Sequence, residues 1–118
     1  MDLPSASDPS SARKFERVQI QLHVQYLNEK KVLDAQMLNL SIGGMAIFTQ
    51  DELQVGEDAM VAFTLDSGFT EAHTIMTLCV IRHCTFQKEP WGFASGLQFD
   101  RLTPTEAYEV EQFLGLMS

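Results

Sequence analysis

The sequence predicts a mostly β protein, a six-stranded antiparallel β-barrel with a C-terminal α-helix packed on it. Six strand-like runs follow one another up to residue 99, and most are joined by short turns. A helical pattern comes only after them, so strands and helices do not alternate and a doubly wound nucleotide-binding fold is not expected. The 118 residues are 45% hydrophobic, which suits a single domain with one core.

The first half of the chain contains three of these runs. Apolar and polar side chains alternate through residues 18–26, which predicts a nine-residue strand with one buried face. Residues 28–31 have the composition of a turn. They are followed by a second strand over 32–38 and, after a polar segment, by a short third strand over 45–49.

The second half begins with a loop over residues 51–58 and a fourth strand over 59–65, whose alternation points Val61, Phe63 and Leu65 inward. A turn at 66–68 leads to a long fifth strand over 72–86. This strand has apolar residues on both faces, Ile75, Cys79 and Ile81 on one and Met76, Leu78 and Val80 on the other. Such a pattern predicts a strand that is covered on both sides. After a turn at 89–92, residues 93–99 form the sixth strand.

The C-terminal segment changes to a helical period. Thr103 and Glu106 form a capping box around Pro104, which stands at the first helical position. The apolar stripe that follows consists of Val110, Phe113, Leu114 and Met117. We expect this helix to pack on the sheet and to cover the outer face of the fifth strand.

The net charge and the hydropathy exclude several classes of function. The net charge of −8 disfavours binding to a nucleic acid polymer or an anionic membrane, which depends on many Lys and Arg contacts. Three of the eight basic residues are Arg13, Lys14 and Arg17, and such a local cluster suits a small anion. No apolar run approaches the ~18 residues that cross a bilayer, and residues 1–12 have no secretory pattern. We therefore expect a cytoplasmic protein, with a flexible N-terminal arm over 1–12 and one domain over 13–118.

The cysteines and histidines do not indicate catalysis or metal binding. Cys79 and Cys84 differ by an odd number of positions, so a regular strand points them to opposite faces and no disulfide is expected. Cys79 and His83 would share a face, but two ligands are too few for a structural zinc site. We expect no metal, no cofactor and no enzymatic activity, because no nucleophile stands beside a positioned base.

Two polar motifs form the candidate site. Arg13 and Arg17 belong to the run Arg-Lys-Phe-Glu-Arg, and Asn39, Ser41 and Gly44 belong to the run Asn-Leu-Ser-Ile-Gly-Gly after the second strand. In this order, inside a small β-rich domain, they resemble the ligand-binding motifs of the PilZ domain, Arg-x-x-x-Arg and Asp/Asn-x-Ser-x-x-Gly. Residues 80–82 (Val-Ile-Arg) and 96–99 (Gly-Leu-Gln-Phe) also resemble segments of that family. The resemblance implies a bacterial receptor for the second messenger cyclic di-GMP.

The chemistry of these residues agrees with that ligand. An arginine fork can meet the O6 and N7 acceptors of guanine together, or grip a phosphate in a bidentate manner. The Asn39 amide can accept from guanine N1–H or N2–H₂, and Ser41 can donate to a phosphate or a guanine edge. Gly43 and Gly44 allow a positive φ and a close approach of other backbone. The resemblance implies that Gly44 is the glycine that ends the ligand-binding motif of the family.

Secondary contacts could come from Lys14, from Gly43 and from Trp91, if the loop of Trp91 approaches the site. An additional arginine just before the first motif could reach a second stacked ligand, but Ala12 occupies that position. We therefore expect one cyclic di-GMP molecule per domain.

The resemblance implies that ligand binding orders the N-terminal arm and signals to an unidentified downstream protein, with outputs in the family such as motility, surface polysaccharide, pili and biofilm. Two alternatives remain open. Asn-x-Ser before two glycines can form only a turn, in which Asn and Ser bond the local backbone. The domain could also be a PilZ-like protein–protein interaction module that does not bind nucleotide.

Overall fold

The computed structural model describes residues 18–117. Within this range the chain forms seven β-strands followed by one α-helix. The elements are β1 (Val18–Gln19), β2 (His23–Leu27), β3 (Val32–Ser41), β4 (Gly44–Thr49), β5 (Asp58–Leu65), β6 (His73–Lys88), β7 (Trp91–Phe99) and α1 (Pro104–Met117). Arg13, Lys14, Arg17 and the arm over 1–12 lie outside the described residues.

Six of the strands close into an antiparallel barrel. The pairing order β3-β2-β5-β6-β7-β4 returns to its start through the β3–β4 pair, and β1 adds to β3. Every described pairing between strands is antiparallel. The predicted barrel with a C-terminal helix is therefore confirmed.

The predicted nine-residue first strand is two strands in the structure. β1 and β2 lie end to end along one edge of β3, and the break between them faces a register shift in β3 between Met37 and Asn39. The extra residue of the bulge interrupts the ladder, which is bridged by hydrogen bonds from Ile20 N to Leu38 O and from Met37 N to Leu22 O. The predicted alternation of faces is correct, because Ile20 is buried and the glutamines on either side of it are exposed.

The interior of the barrel is a single apolar cluster. The inward residues of β5 are buried, as their alternation predicts, and Val61 is fully inaccessible to solvent. The same cluster takes inward side chains from every barrel strand and two from the helix. Burial of this apolar surface is the main force that holds the barrel together.

The prediction that the fifth strand is covered on both sides is wrong. The inward face of β6 is buried, but on its outer face Met76 and Leu78 are 56% and 52% exposed. Together with half-buried Met60, which lies opposite Leu78 on β5, they form an outer surface that we call the apolar face.

A bulge in β6 also overturns the parity argument for the cysteines. The register against β7 shifts between Ile81 and His83, so the residues after the bulge face the opposite way from a regular strand. Cys79 is buried and Cys84 packs against the same core, while His83 is exposed. Cys79 and His83 therefore do not share a face, and both cysteines point inward as free thiols.

The helix begins as predicted. Glu106 N donates to Thr103 Oγ1 over 3.1 Å, and Thr103 N donates to Glu106 Oε1 over 3.0 Å, which completes the capping box. Val110 and Phe113 join the barrel core, and His73 Nδ1 lies 2.9 Å from Glu109 Oε2.

The helix thus packs across the barrel end where β6 begins. It does not cover the outer face of β6, and this expectation is wrong because its apolar stripe is used to close the interior. The helix is neither long nor apolar enough to cross a bilayer.

Candidate functional site

The second motif lies where β3 turns into β4. Asn39 pairs with Gln19 of β1 on one side and with Ala46 of β4 on the other. Leu40, the next residue, lies opposite Val18. The first described residue of the chain is therefore paired with a residue of the second motif.

Ser41 is a turn residue in this structure. Its side chain is 1% exposed, its Oγ accepts from Gly43 N over 3.1 Å, and it donates to Gly44 O over 3.4 Å. These bonds satisfy the hydroxyl locally and fix the tight connection between β3 and β4. A direct contact between Ser41 and a ligand would require this turn to open.

A close contact with a neighbouring strand explains why a glycine occupies position 44. Its φ is not in the positive region, and a Cβ at this position would collide with the backbone carbonyl of Leu97 on β7. Phe99 N also donates to Gly43 O over 2.9 Å. The close approach that needs glycine here is therefore made by strand β7, which closes the barrel beside the motif.

A continuous cross-strand row runs outward from Asn39 over the barrel surface. Asn39 pairs with Ala46, Ala46 with Gly96 on β7, and Gly96 with His83 on β6. We call these residues, with Gln19 at the other end, the polar row. Ala46 and Gly96 have small side chains, and the His83 imidazole lies over Gly96, so the low part of the row is at Ala46.

A second row lies beside the first. Ser41 pairs with Gly44 and Gly44 pairs with Gln98, whose Oε1 accepts from Arg82 Nε over 2.6 Å. The sequence indicates only a strand ending at Arg82 and no ligand-binding role for His83. The bulge that exposes both side chains depends on strand pairing, and the local sequence carries no signal for it.

Trp91 does not lie beside these rows. It begins β7 and is 56% exposed, five residues before Gly96, which corresponds to about 16 Å along a strand. Its ring makes edge contacts with Phe86 and Phe93, with centroids 5.8 and 6.0 Å apart. The structure places it in an aromatic cluster at the end of the β6–β7 hairpin, remote from Asn39.

The site is an open outer surface, and two grooves in the described part of the chain lie elsewhere. One is formed by the helix and the start of β6 around Tyr108, and the other by the outer faces of β2 and β5 around His23. No group of three or more acidic, histidine or cysteine side chains within residues 18–117 is arranged to hold a metal ion.

Within residues 18–117, the two side chains with a clearly shifted pKa are both buried in the core. Burial raises the pKa of the Cys79 thiol to about 12, helped by the nearby Asp58 carboxylate. Burial likewise raises the pKa of Tyr26 to about 12. A thiol with such a pKa is protonated at neutral pH, so Cys79 is not an activated nucleophile.

Comparison with known families identifies the domain. The PilZ domain matches residues 11–115, which include both motifs. This protein belongs to the PilZ domain family. No match was found among curated protein sequences.

Solved structures share the PilZ fold. The inhibitor of motility MotI/DgrA of Bacillus subtilis superposes with a TM-score of 0.76 at 21% identity, over 86% of this chain and 48% of that one. The PilZ domain of YcgR from Escherichia coli, solved with c-di-GMP, gives 0.71 at 13% identity, over 91% and 92% of the two chains. The K. pneumonia MrkH–c-di-GMP complex gives 0.68 at 14% identity, over 86% and 50%. The chain spans about half the length of MotI and of MrkH.

Proposed function

We propose that this PilZ protein is a non-catalytic receptor for cyclic di-GMP. The ligand is held between the Arg-x-x-x-Arg motif and the turn that contains Asn39, Ser41 and Gly44. Family membership supports a receptor, and the solved complexes of YcgR and MrkH with c-di-GMP support the ligand.

The observation that carries the proposal is the pairing of β1 with β3. Val18 follows Arg17 directly in the chain and lies opposite Leu40, inside the second motif. A chain spans at most about 3.6 Å per residue, so Arg17 is held within about 4 Å and Arg13 within about 18 Å of the Val18 backbone. The chain length therefore allows both arginines to reach the surface around Asn39.

Each motif supplies a different part of the recognition. Arg13 and Arg17 offer planar donor forks for a guanine Hoogsteen edge and for the phosphates, and Lys14 adds charge. Asn39 is at the start of the polar row, where its amide can meet the donors of a guanine. Ser41 acts chiefly through the turn that its two hydrogen bonds maintain, and Gly43 offers its backbone at the same turn.

We propose that ligand binding orders the segment that carries the two arginines and changes a surface for a downstream protein in the cytoplasm. Such ordering opposes binding through lost conformational entropy, so it must be driven by the ligand contacts themselves. MotI is named an inhibitor of motility, and this supports motility as one candidate output.

Calorimetric titration of the purified chain with cyclic di-GMP tests the proposal. We expect one ligand per chain with cyclic di-GMP, and much weaker binding of GTP and cyclic di-AMP. Arg17→Ala should abolish micromolar binding while the midpoint of thermal unfolding stays unchanged. Lys30→Ala is the matched control, because it removes the same charge from the β2–β3 turn and should keep full affinity.

Asn39→Ala is expected to weaken binding, and Ser41→Ala to weaken both binding and the free energy of unfolding, since it breaks the turn. Wild-type protein that shows no heat and no thermal shift with cyclic di-GMP would refute the receptor. Unchanged affinity in both Arg17→Ala and Asn39→Ala would refute this site while leaving the ligand in place.

The second candidate is an interaction module that ignores nucleotides. The buried, locally satisfied Ser41 hydroxyl and the exposed apolar face both favour it. This candidate predicts no thermal shift with cyclic di-GMP. It also predicts a complex with a protein partner, and a polar substitution of Leu78 should abolish that complex.

A further inference from the structure

The bulge in β6 places two consecutive polar side chains on the outside of the barrel. In a regular strand Arg82 and His83 would point to opposite faces. The register against β7 shifts between Ile81 and His83, and both side chains are exposed while Ile81 before them is fully buried. A bulge of this kind redirects a side chain, and such bulges are common beside functional sites.

The His83 side chain lies over Gly96. A Cβ built on Gly96 would overlap the imidazole, with His83 Cδ2 and Cε1 each only 2.7 Å away. The imidazole therefore fills the space that any other residue at 96 would occupy. It lies above the polar row, two strand spacings from Asn39, or about 10 Å.

Arg82 is held in the adjacent row. Its Nε donates to Gln98 Oε1 over 2.6 Å, and Gln98 is the direct neighbour of Gly44 in the second motif. This bond fixes the guanidinium near the motif and leaves its terminal amino groups available as donors. In a chain with a net charge of −8, a cation at this place favours an anionic or acceptor-rich ligand.

We infer that Arg82 and His83 are further ligand-binding residues, and that they contact the half of the cyclic dinucleotide remote from the arginine motif. The ligand is two-fold symmetric, so a receptor that holds one guanine beside Asn39 meets a second guanine further along the surface. Ala46 leaves a low floor between Asn39 and the His83 imidazole, which lies over Gly96. The donors of Arg82 and His83 match the O6 and N7 acceptors of that second base.

Four single variants test this assignment in matched pairs. Arg82→Ala is compared with Arg101→Ala, which removes the same charge from an exposed site after β7. His83→Ala is compared with His23→Ala, an exposed histidine on β2 that pairs with Asp34 over 3.0 Å. We expect the first member of each pair to weaken cyclic di-GMP binding by about tenfold or more, and the second member to leave it unchanged.

A hybrid ligand shows which base the pair contacts. Cyclic GMP–AMP carries only one guanine, so wild-type protein should bind it more weakly than cyclic di-GMP. In Arg82→Ala and His83→Ala the ratio of the affinity for cyclic di-GMP to that for cyclic GMP–AMP should shrink toward one. The imidazole Cε1–H resonance of His83 should also shift on titration with cyclic di-GMP, and that of His23 should not.

Gly96→Ala provides an independent test that does not remove the histidine. The new Cβ displaces the imidazole and should weaken binding as His83→Ala does. In the His83→Ala background the Cβ finds room, so the two effects should be strongly non-additive. Thermal unfolding of each variant separates loss of contact from loss of fold, and His83→Asn and Arg82→Lys serve as milder replacements.

The outcomes separate this assignment from the receptor proposal on which it rests. Wild-type binding with affinities and hybrid ratios unchanged in the folded Arg82 and His83 variants would overturn the assignment and leave the receptor intact. Absence of binding by the wild-type protein would overturn both.

Discussion

The outer wall of the barrel has two contrasting parts, the polar row and the apolar face. The polar row crosses β3, β4, β7 and the second half of β6, with small residues between polar ends. The apolar face crosses β5 and the first half of β6 and exposes methionine and leucine. Both lie on the same closed sheet, so the barrel serves as a common support and the side chains on each part decide what that part can bind.

The bulge at Arg82 lies within β6 between these two parts. Before it, outward positions carry Met76 and Leu78; after it, they carry His83 and Thr85. One strand therefore contributes an apolar surface at one end and a donor-bearing surface at the other. An exposed apolar surface of this kind commonly marks a protein contact. Exposed hydrogen-bond donors such as those of Arg82 and His83 instead suit a polar ligand.

The largest expected effect comes from the inward side of the same strand. Ile81→Ala should lower the free energy of unfolding by about 2–5 kcal/mol, because Ile81 is fully buried and its removal leaves a cavity. Leu78→Ala, three residues away on the apolar face, should cost less than about 1 kcal/mol. Urea unfolding measures both. Equal costs would mean that the apolar face is covered in solution and that β6 does not have one buried and one exposed side.

Much of this architecture could be predicted from the sequence. Period-two alternation identified Val61, Phe63 and Leu65 as inward, because on a half-buried strand the apolar side chains lie on the face that packs against the core. Thr103 and Glu106 identified the start of the helix, because a capping box is a local device whose partners are three residues apart.

What the sequence could not provide depends on pairing between distant segments. The bulges in β3 and β6 are properties of registers between strands, so neither the break after Gln19 nor the shared outward direction of Arg82 and His83 was predictable. The apolar residues at Met76 and Leu78 were misinterpreted because an exposed apolar face and a covered one have the same composition. A close backbone approach was expected at Gly44, but the backbone that approaches it belongs to β7.

A pair of glycine substitutions tests the closure of the barrel beneath the polar row. Gly44→Ala should lower the free energy of unfolding by about 1–3 kcal/mol or more, because the new Cβ meets the backbone carbonyl of Leu97. Gly115→Ala is the same chemical change in the helix, where a Cβ meets open space, and should raise stability by up to about 1 kcal/mol. If Gly44→Ala were neutral, the tight β4–β7 contact beside the second motif would be refuted.

The smallest expected effect is on the apolar face itself. The double substitution Met76→Gln and Leu78→Gln should change the free energy of unfolding by only about 0.5 kcal/mol, because both side chains are more than half exposed. It should also leave cyclic di-GMP affinity unchanged, because the polar row reaches β6 only after the bulge, whereas Met76 and Leu78 lie before it. Calorimetry measures the affinity, and binding of a hydrophobic fluorescent dye, which should decrease, reports the loss of the apolar surface. Weakened nucleotide binding in this variant would show that the two parts of the wall act as one surface, since the only side chains altered lie outside the polar row.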